Sequence, residues 1–199
     1  MLSSEADMAH LISFYLYLIV GAITPGPNTI LSMVNASKVG LKKGIRLNFG
    51  MLAGILVIMS CCYLFSSLVI SALPAMERIM RIVAAAYMLY LAYRCLSARR
   101  IFSTENSSSS FIQGATMQII NAKVWFLGLT AIPAYILAQG YSRAAEYLLS
   151  ISIALVCFLC GLVWALFGAF LSRLFGEHEK VMNAVFSLLL AFFAVTLLI

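Results

Sequence analysis

Two short stretches hold nearly all the chemistry this sequence offers. The first is Thr24-Pro25-Gly26-Pro27-Asn28, inside a run of 29 residues, Ala9 to Ser37, without Asp, Glu, Lys or Arg. The second is Asn121-Ala122-Lys123, where Lys123 is the one such charge between Asn106 and Ser142. A proline inside a helix lacks its N–H and clashes with the carbonyl four residues back. Pro25 and Pro27 would therefore free the carbonyls of Gly21 and Ile23. One proline reads as a kink; two around a glycine read as a break. The half-helix that follows starts either with Thr24 as N-cap and Pro25 first, or with Gly26 and Pro27 in those roles. Either way, free N–H groups such as those of Asn28 and Thr29 gather at a positive dipole end. That end suits a carboxylate.

Lys123 supplies the complementary charge. Counted from a helix start near Phe111 it lies roughly 18 Å along, near the middle of a bilayer core about 30 Å thick. A charge there costs on the order of 3 kcal/mol by insertion scales and usually marks a functional cavity. No span offers a carboxylate partner, so freed backbone carbonyls, Asn side chains, water or a ligand's carboxylate must serve. Lys123 and the N–H groups after Thr24 would hold that carboxylate, while Asn28 and Asn121 touch the ligand or steady the broken backbone. Without an acidic residue in the spans, a small neutral zwitterion fits better than a large cation. His10 and His178 sit at span ends, so by elimination Lys123 is left as the group that could release a proton.

The elements that position these residues follow from composition. Of 199 residues 63% are hydrophobic and 10% charged, with a mean hydropathy of +1.02; soluble domains carry about a quarter charged residues. The bilayer is the solvent, and long unbroken apolar runs make the spans helices rather than barrel strands. Charge-free runs Ala9–Ser37, Leu47–Met76, Tyr147–Ser172 and Val181–Ile199 each suffice to cross. Asn106–Ser142, broken by Lys123, is a fifth. A sixth, about 75–96, is the weakest, with a charge-free centre only from Ile82 to Tyr93 and Arg78, Arg81 and Arg94 flanking it.

The net charge of +6 sits in short loops, which makes it an orientation signal rather than a nucleic-acid surface. Lys38, Lys42, Lys43, Arg46, Arg94, Arg99, Arg100, Arg173 and Lys180 fall on one side; Arg78, Arg81 and Arg143 fall on the other. This places the larger set in the cytoplasm and both termini outside. The acidic N-terminus, Glu5 and Asp7, argues against a cleaved signal peptide. A polar, serine-rich segment, 99–110, divides the single transmembrane domain into halves of about 9–98 and 111–199. Three spans per half make the halves inverted repeats, with broken helices one and four.

Several residues read as packing. Gly50-x-x-x-Gly54 and the ladder Gly161, Ala165, Ala169 let helices approach, within one chain or between two copies of a homodimer. The five cysteines, Cys157-x-x-Cys160 included, read as small packing groups rather than disulfides or metal ligands. Tyr87, Tyr90 and Tyr93 share one helix face and read likewise. Trp125 and Trp164 lie within spans, lining a cavity or packing in the core.

At these residues the chain resembles the LysE/RhtB family of amino-acid exporters. The likeness spans essentially its whole length: six spans, TPGPN in the first, N-x-K in the fourth, and AAAYMLYLAYRCL in the third. Within the family it is most similar to the cysteine and O-acetylserine exporters. Ala122 stands where the family often has proline, so span four is expected to break less sharply than span one. The resemblance implies a secondary transporter for small neutral amino acids in a bacterial inner membrane. Efflux would be antiport driven by the proton motive force, with protons as coupling ion, lipids as surroundings and no cofactor. Two rivals stay open on the residues alone: a membrane-embedded enzyme with a Ser–Lys site at Lys123, and a soft-metal exporter using Cys and Met.

Overall fold

A computed structural model describes residues 2–96, 107–174 and 179–198. Among them every regular element is helical: α1 (Leu2–Ile23), α2 (Pro27–Val39), α3 (Leu41–Leu64), α4 (Ser66–Leu96), α5 (Ser107–Ile120), α6 (Ala122–Ala131), α7 (Arg143–Leu174) and α8 (Glu179–Leu198). Between α6 and α7 a π-helical turn, Ile132–Ile136, runs into a 3₁₀ turn, Leu137–Gln139. Among the described residues five stretches are long and apolar enough to cross a membrane: Leu41–Leu64, Met76–Leu96, Ala122–Gln139, Arg143–Leu174 and Lys180–Leu198. Asp7–Ile23 and Pro27–Val39 form a sixth if the pair is one span, bent by 58°.

Two boundaries differ from the sequence reading. The charge-free run from Leu47 to Met76 is not one span, because α3 starts at Leu41 and ends at Leu64. Its 24 residues already measure about 36 Å, so the chain turns at Phe65 and the remaining apolar residues begin α4. Ser107 to Ser110, expected in the loop, begin α5. The rest of that loop, and His178, lie outside the described residues.

Two of the main helix contacts, α3 with α5 and α2 with α7, are glycine seams. α3 packs on α5, α2 on α7, α3 on α7, and α4 on α8. A methyl group on Gly50 would strike the Phe111 carbonyl, one on Gly54 would come within 2.6 Å of the Ala115 carbonyl oxygen, and one on Gly114 would strike the Leu47 carbonyl. The seam on α7 is not the expected Gly161–Ala165–Ala169 ladder. Ala165 is fully buried, but the third rung is Gly168, whose missing side chain admits the Met33 carbonyl. Helical rotation explains the shift, since rows recur every three or four residues.

Two apolar clusters form the core. Ile30, Val34, Leu47, Met88, Leu91 and Phe186 belong to one, and Phe14, Leu18, Ile58, Met59, Ile132 and Ile153 to the other. Ile12, Val20, Val57, Leu148 and Leu188 are each more than half exposed on the outside, as a surface solvated by lipid requires. Of the tyrosine face on α4, Tyr87 packs against the first cluster and bonds Gln113. Tyr90 and Tyr93 are over half exposed and do not pack in the core.

Candidate functional site

The first break is built by the prolines and sealed by neighbours. α1 ends at Ile23, and α2 restarts with Gly26 as N-cap and Pro27 at its first position, so of the two alternatives the second is realised. Thr24 instead closes α1, its Oγ1 donating to the Val20 carbonyl at 2.6 Å. Gly26 donates its N–H to Thr29 Oγ1 at 2.8 Å. Backbone carbonyls within the described residues accept neither the Asn28 nor the Thr29 N–H, as helix geometry requires of a first turn. Two carbonyls at the break, those of Ile23 and Thr24, find partners from the second half of the chain. Ile23 accepts the indole N–H of Trp164 at 3.0 Å, and Thr24 accepts Lys123 Nζ at 2.6 Å.

The second break takes a single residue. Asn121 is extended (φ −85°, ψ 91°) and caps α6. Its N–H reaches back to the Gln118 carbonyl, and its own carbonyl accepts from Val124. Trp125, one turn into α6, donates to the carbonyl of Ile119 at 3.1 Å. The two tryptophans inside spans therefore do one job each: they satisfy a carbonyl at a break. Neither belongs to the pocket lining.

An amide pair ties the breaks together. Asn28 Nδ2 donates to Gln118 Oε1 at 2.5 Å, and Gln118 Nε2 donates back to Asn28 Oδ1 at 3.2 Å. Both ends of the Asn28 amide are thus engaged, which leaves its backbone N–H as the group free for a ligand. Lys123 lies over Gly26, where a β-carbon would sit 3.5 Å from the ammonium. That is ordinary van der Waals contact, so the approach does not depend on the glycine.

Between the two apolar clusters these elements line a small, partly open pocket, about 40 Å³ measured to the centres of water-sized spheres. Gly26, Asn28, Asn121 and Lys123 line it, together with Thr29. Thr24, Pro25 and Pro27 do not line it; Thr24 lends its carbonyl and the prolines shape the turn. Asn48 from α3 and Cys157, Phe158 and Gly161 from α7 complete the wall, residues to which the sequence reading gave no site role. Asn48 and Gln118 had a signal: both are polar residues inside long apolar runs. Cys157 packs against the second apolar cluster, as expected, and also lines the pocket, one turn from buried Cys160; all five cysteines are free thiols.

The reading that no span carries a buried carboxylate needs correction. Glu146, in the first turn of α7, is buried and accepts the Tyr63 hydroxyl at 3.0 Å. Counting charge-free runs started that span one residue later, at Tyr147, and so left Glu146 out. His10, at its span end, donates to the carbonyl of Tyr135 in the π turn at 2.8 Å. Among the described residues no group of three His, Cys, Asp or Glu side chains is placed to hold a metal.

A broken helix from each half, joined by a lysine and a backbone carbonyl, is a transporter's geometry, and comparison with known proteins agrees. Residues 19–199 match the LysE type translocator family. The chain belongs to that family. It is a transporter rather than an enzyme, which removes the Ser–Lys reading. It is 31% identical over 186 residues to cysteine/O-acetylserine efflux proteins, covering 92% of this chain and 94% of theirs. These come from Escherichia coli strain K12, Escherichia coli O1:K1 and Shigella flexneri serotype 5b. No solved structure matches.

Proposed function

We propose that this translocator exports small neutral amino acids or derivatives, of the cysteine and O-acetylserine kind, from the bacterial cytoplasm by proton antiport. The observation that carries the reading is the Lys123 ammonium held at the Thr24 carbonyl, beside the open first turn of α2. Together these give one cation and two free N–H groups on a pocket whose lining contains no Asp or Glu. A substrate carboxylate would displace the Thr24 carbonyl as the stronger acceptor. The small volume of the pocket and its lack of a carboxylate favour a short neutral side chain over a long cationic one.

The packing supports the inverted-repeat reading of halves 9–98 and 111–199. Span one packs on span five as span two packs on span four, and the third packs on the sixth. The excess of basic residues at the ends of α2, α4 and α7 supports cytoplasmic placement of those ends, with both termini outside. Everted vesicles holding the chain should accumulate labelled cysteine and O-acetylserine when the interior is acid. Accumulation that ignores the pH gradient would remove proton coupling; no accumulation of any small amino acid would remove the reading.

A further inference from the structure

The pocket as described grips one end of a zwitterion. Lys123 and the first turn of α2 are donors, suited to a carboxylate. An α-amino acid also brings an ammonium, which needs acceptors, and no carboxylate lines the wall. Asn28 is occupied by Gln118. The remaining candidates are neutral oxygens, and Asn48 stands out among them.

Asn48 is 2% exposed, lines the pocket, and is one of two buried amides among the described residues with an atom lacking any partner. Ser32 Oγ lies 2.7 Å from its Oδ1 and 2.8 Å from the carbonyl oxygen of Gly161. A hydroxyl carries one proton, so Ser32 cannot donate to both oxygens. The Gly161 carbonyl can only accept. All three groups are satisfied when Ser32 donates to Gly161 and Asn48 turns its amide end for end, giving an N–H to Ser32. Oxygen and nitrogen of a carboxamide are close enough in shape to exchange places. The unpartnered buried atom is then an oxygen. A role in holding α2, α3 and α7 together accounts for the Ser32 side of this amide; it leaves the other side unexplained.

We propose that Asn48 Oδ1 accepts the substrate's ammonium and so fixes the direction in which the zwitterion lies across the pocket, carboxylate toward α2 and α6, ammonium toward α3. This rests on the transport reading of the same pocket, and the test separates the two. Cys157 lines the pocket, so ligand binding to purified full-length protein can be read as protection of that thiol from N-ethylmaleimide, followed by mass spectrometry. The readout works in variants that no longer transport. The probes are O-acetylserine and 3-acetoxypropionate, which differ only in the ammonium.

The wild type should be protected by the amino acid at roughly tenfold lower concentration than by its des-amino analogue. Asn48→Leu should bring the two to within about twofold, and Asn48→Asp, which keeps an oxygen there, should preserve or widen the ratio. Lys123→Met should weaken both probes together, because they share the carboxylate. A tenfold ratio that survives in Asn48→Leu overturns the proposal, as does its collapse in Asn48→Asp. Protection unaffected by Lys123→Met would instead overturn the pocket reading itself.

Discussion

The two breaks look alike in outline and differ in what makes them. At residues 24–26 the interruption is covalent: prolines withhold two N–H groups, and the helices on either side meet at 58°. At Asn121 nothing in the backbone forbids a helix; one extended residue, held by its neighbours, makes the step. The tryptophans follow the same division. Trp164 reaches the first break from another span, whereas Trp125 serves the second from within its own. A break imposed by proline needs partners to satisfy it. One imposed by contacts needs partners to exist at all.

Substitutions can press on that contrast, and the largest effect falls where the breaks touch. Lys123→Met removes the cation that meets the first break. Export of labelled cysteine should fall on the order of a hundredfold, the loss of about 3 kcal/mol, with insertion unchanged. Normal export would sink the site.

Gln118→Leu comes next. It leaves the Asn28 amide without a partner, at about 1–3 kcal/mol, and loosens the second break's hold on the first. A lower melting temperature in detergent, with weaker export, is the expected result. Trp164→Phe should cost about 1–2 kcal/mol of stability by orphaning the Ile23 carbonyl, and Trp125→Phe less, because a freed carbonyl on a short step can be re-satisfied locally. Equal losses would erase the distinction between an imported and a local partner.

The smallest effect has the opposite sign. Ala122 is the first residue of α6, Asn121 before it is extended, and no backbone bond from the Ala122 N–H appears among those joining the described residues. Proline fits such a position. Ala122→Pro should raise stability by about 0.4–1 kcal/mol with export retained. Destabilisation would show that the second break needs its freedom.

Proline and charge were legible because they violate local rules. TPGPN could only be a break, and Lys123 could only be costly in lipid, so those residues were read from sequence alone. The choice of Gly26 over Thr24 as cap was not, because both are acceptable caps and the side-chain bonds of Thr24 and Thr29 decide it. The pairings of Trp164 and Gln118 were opaque for a different reason. Their partners lie 141 and 90 residues away, and no periodicity reports such pairings. The π turn at Ile132–Ile136 was likewise invisible; Pro133 predicts an irregularity there without saying which. Family membership was legible because its two motifs are the rule-breaking ones.

The Lys123–Thr24 contact also has a lopsided heredity. Its acceptor is a main-chain oxygen, which every amino acid at position 24 would supply, whereas its donor is a single codon's side chain. Random mutagenesis followed by selection for export should return many tolerated replacements at 24 and almost none at 123. In any such library the site would look like a solitary lysine, its counterpart hidden in plain peptide.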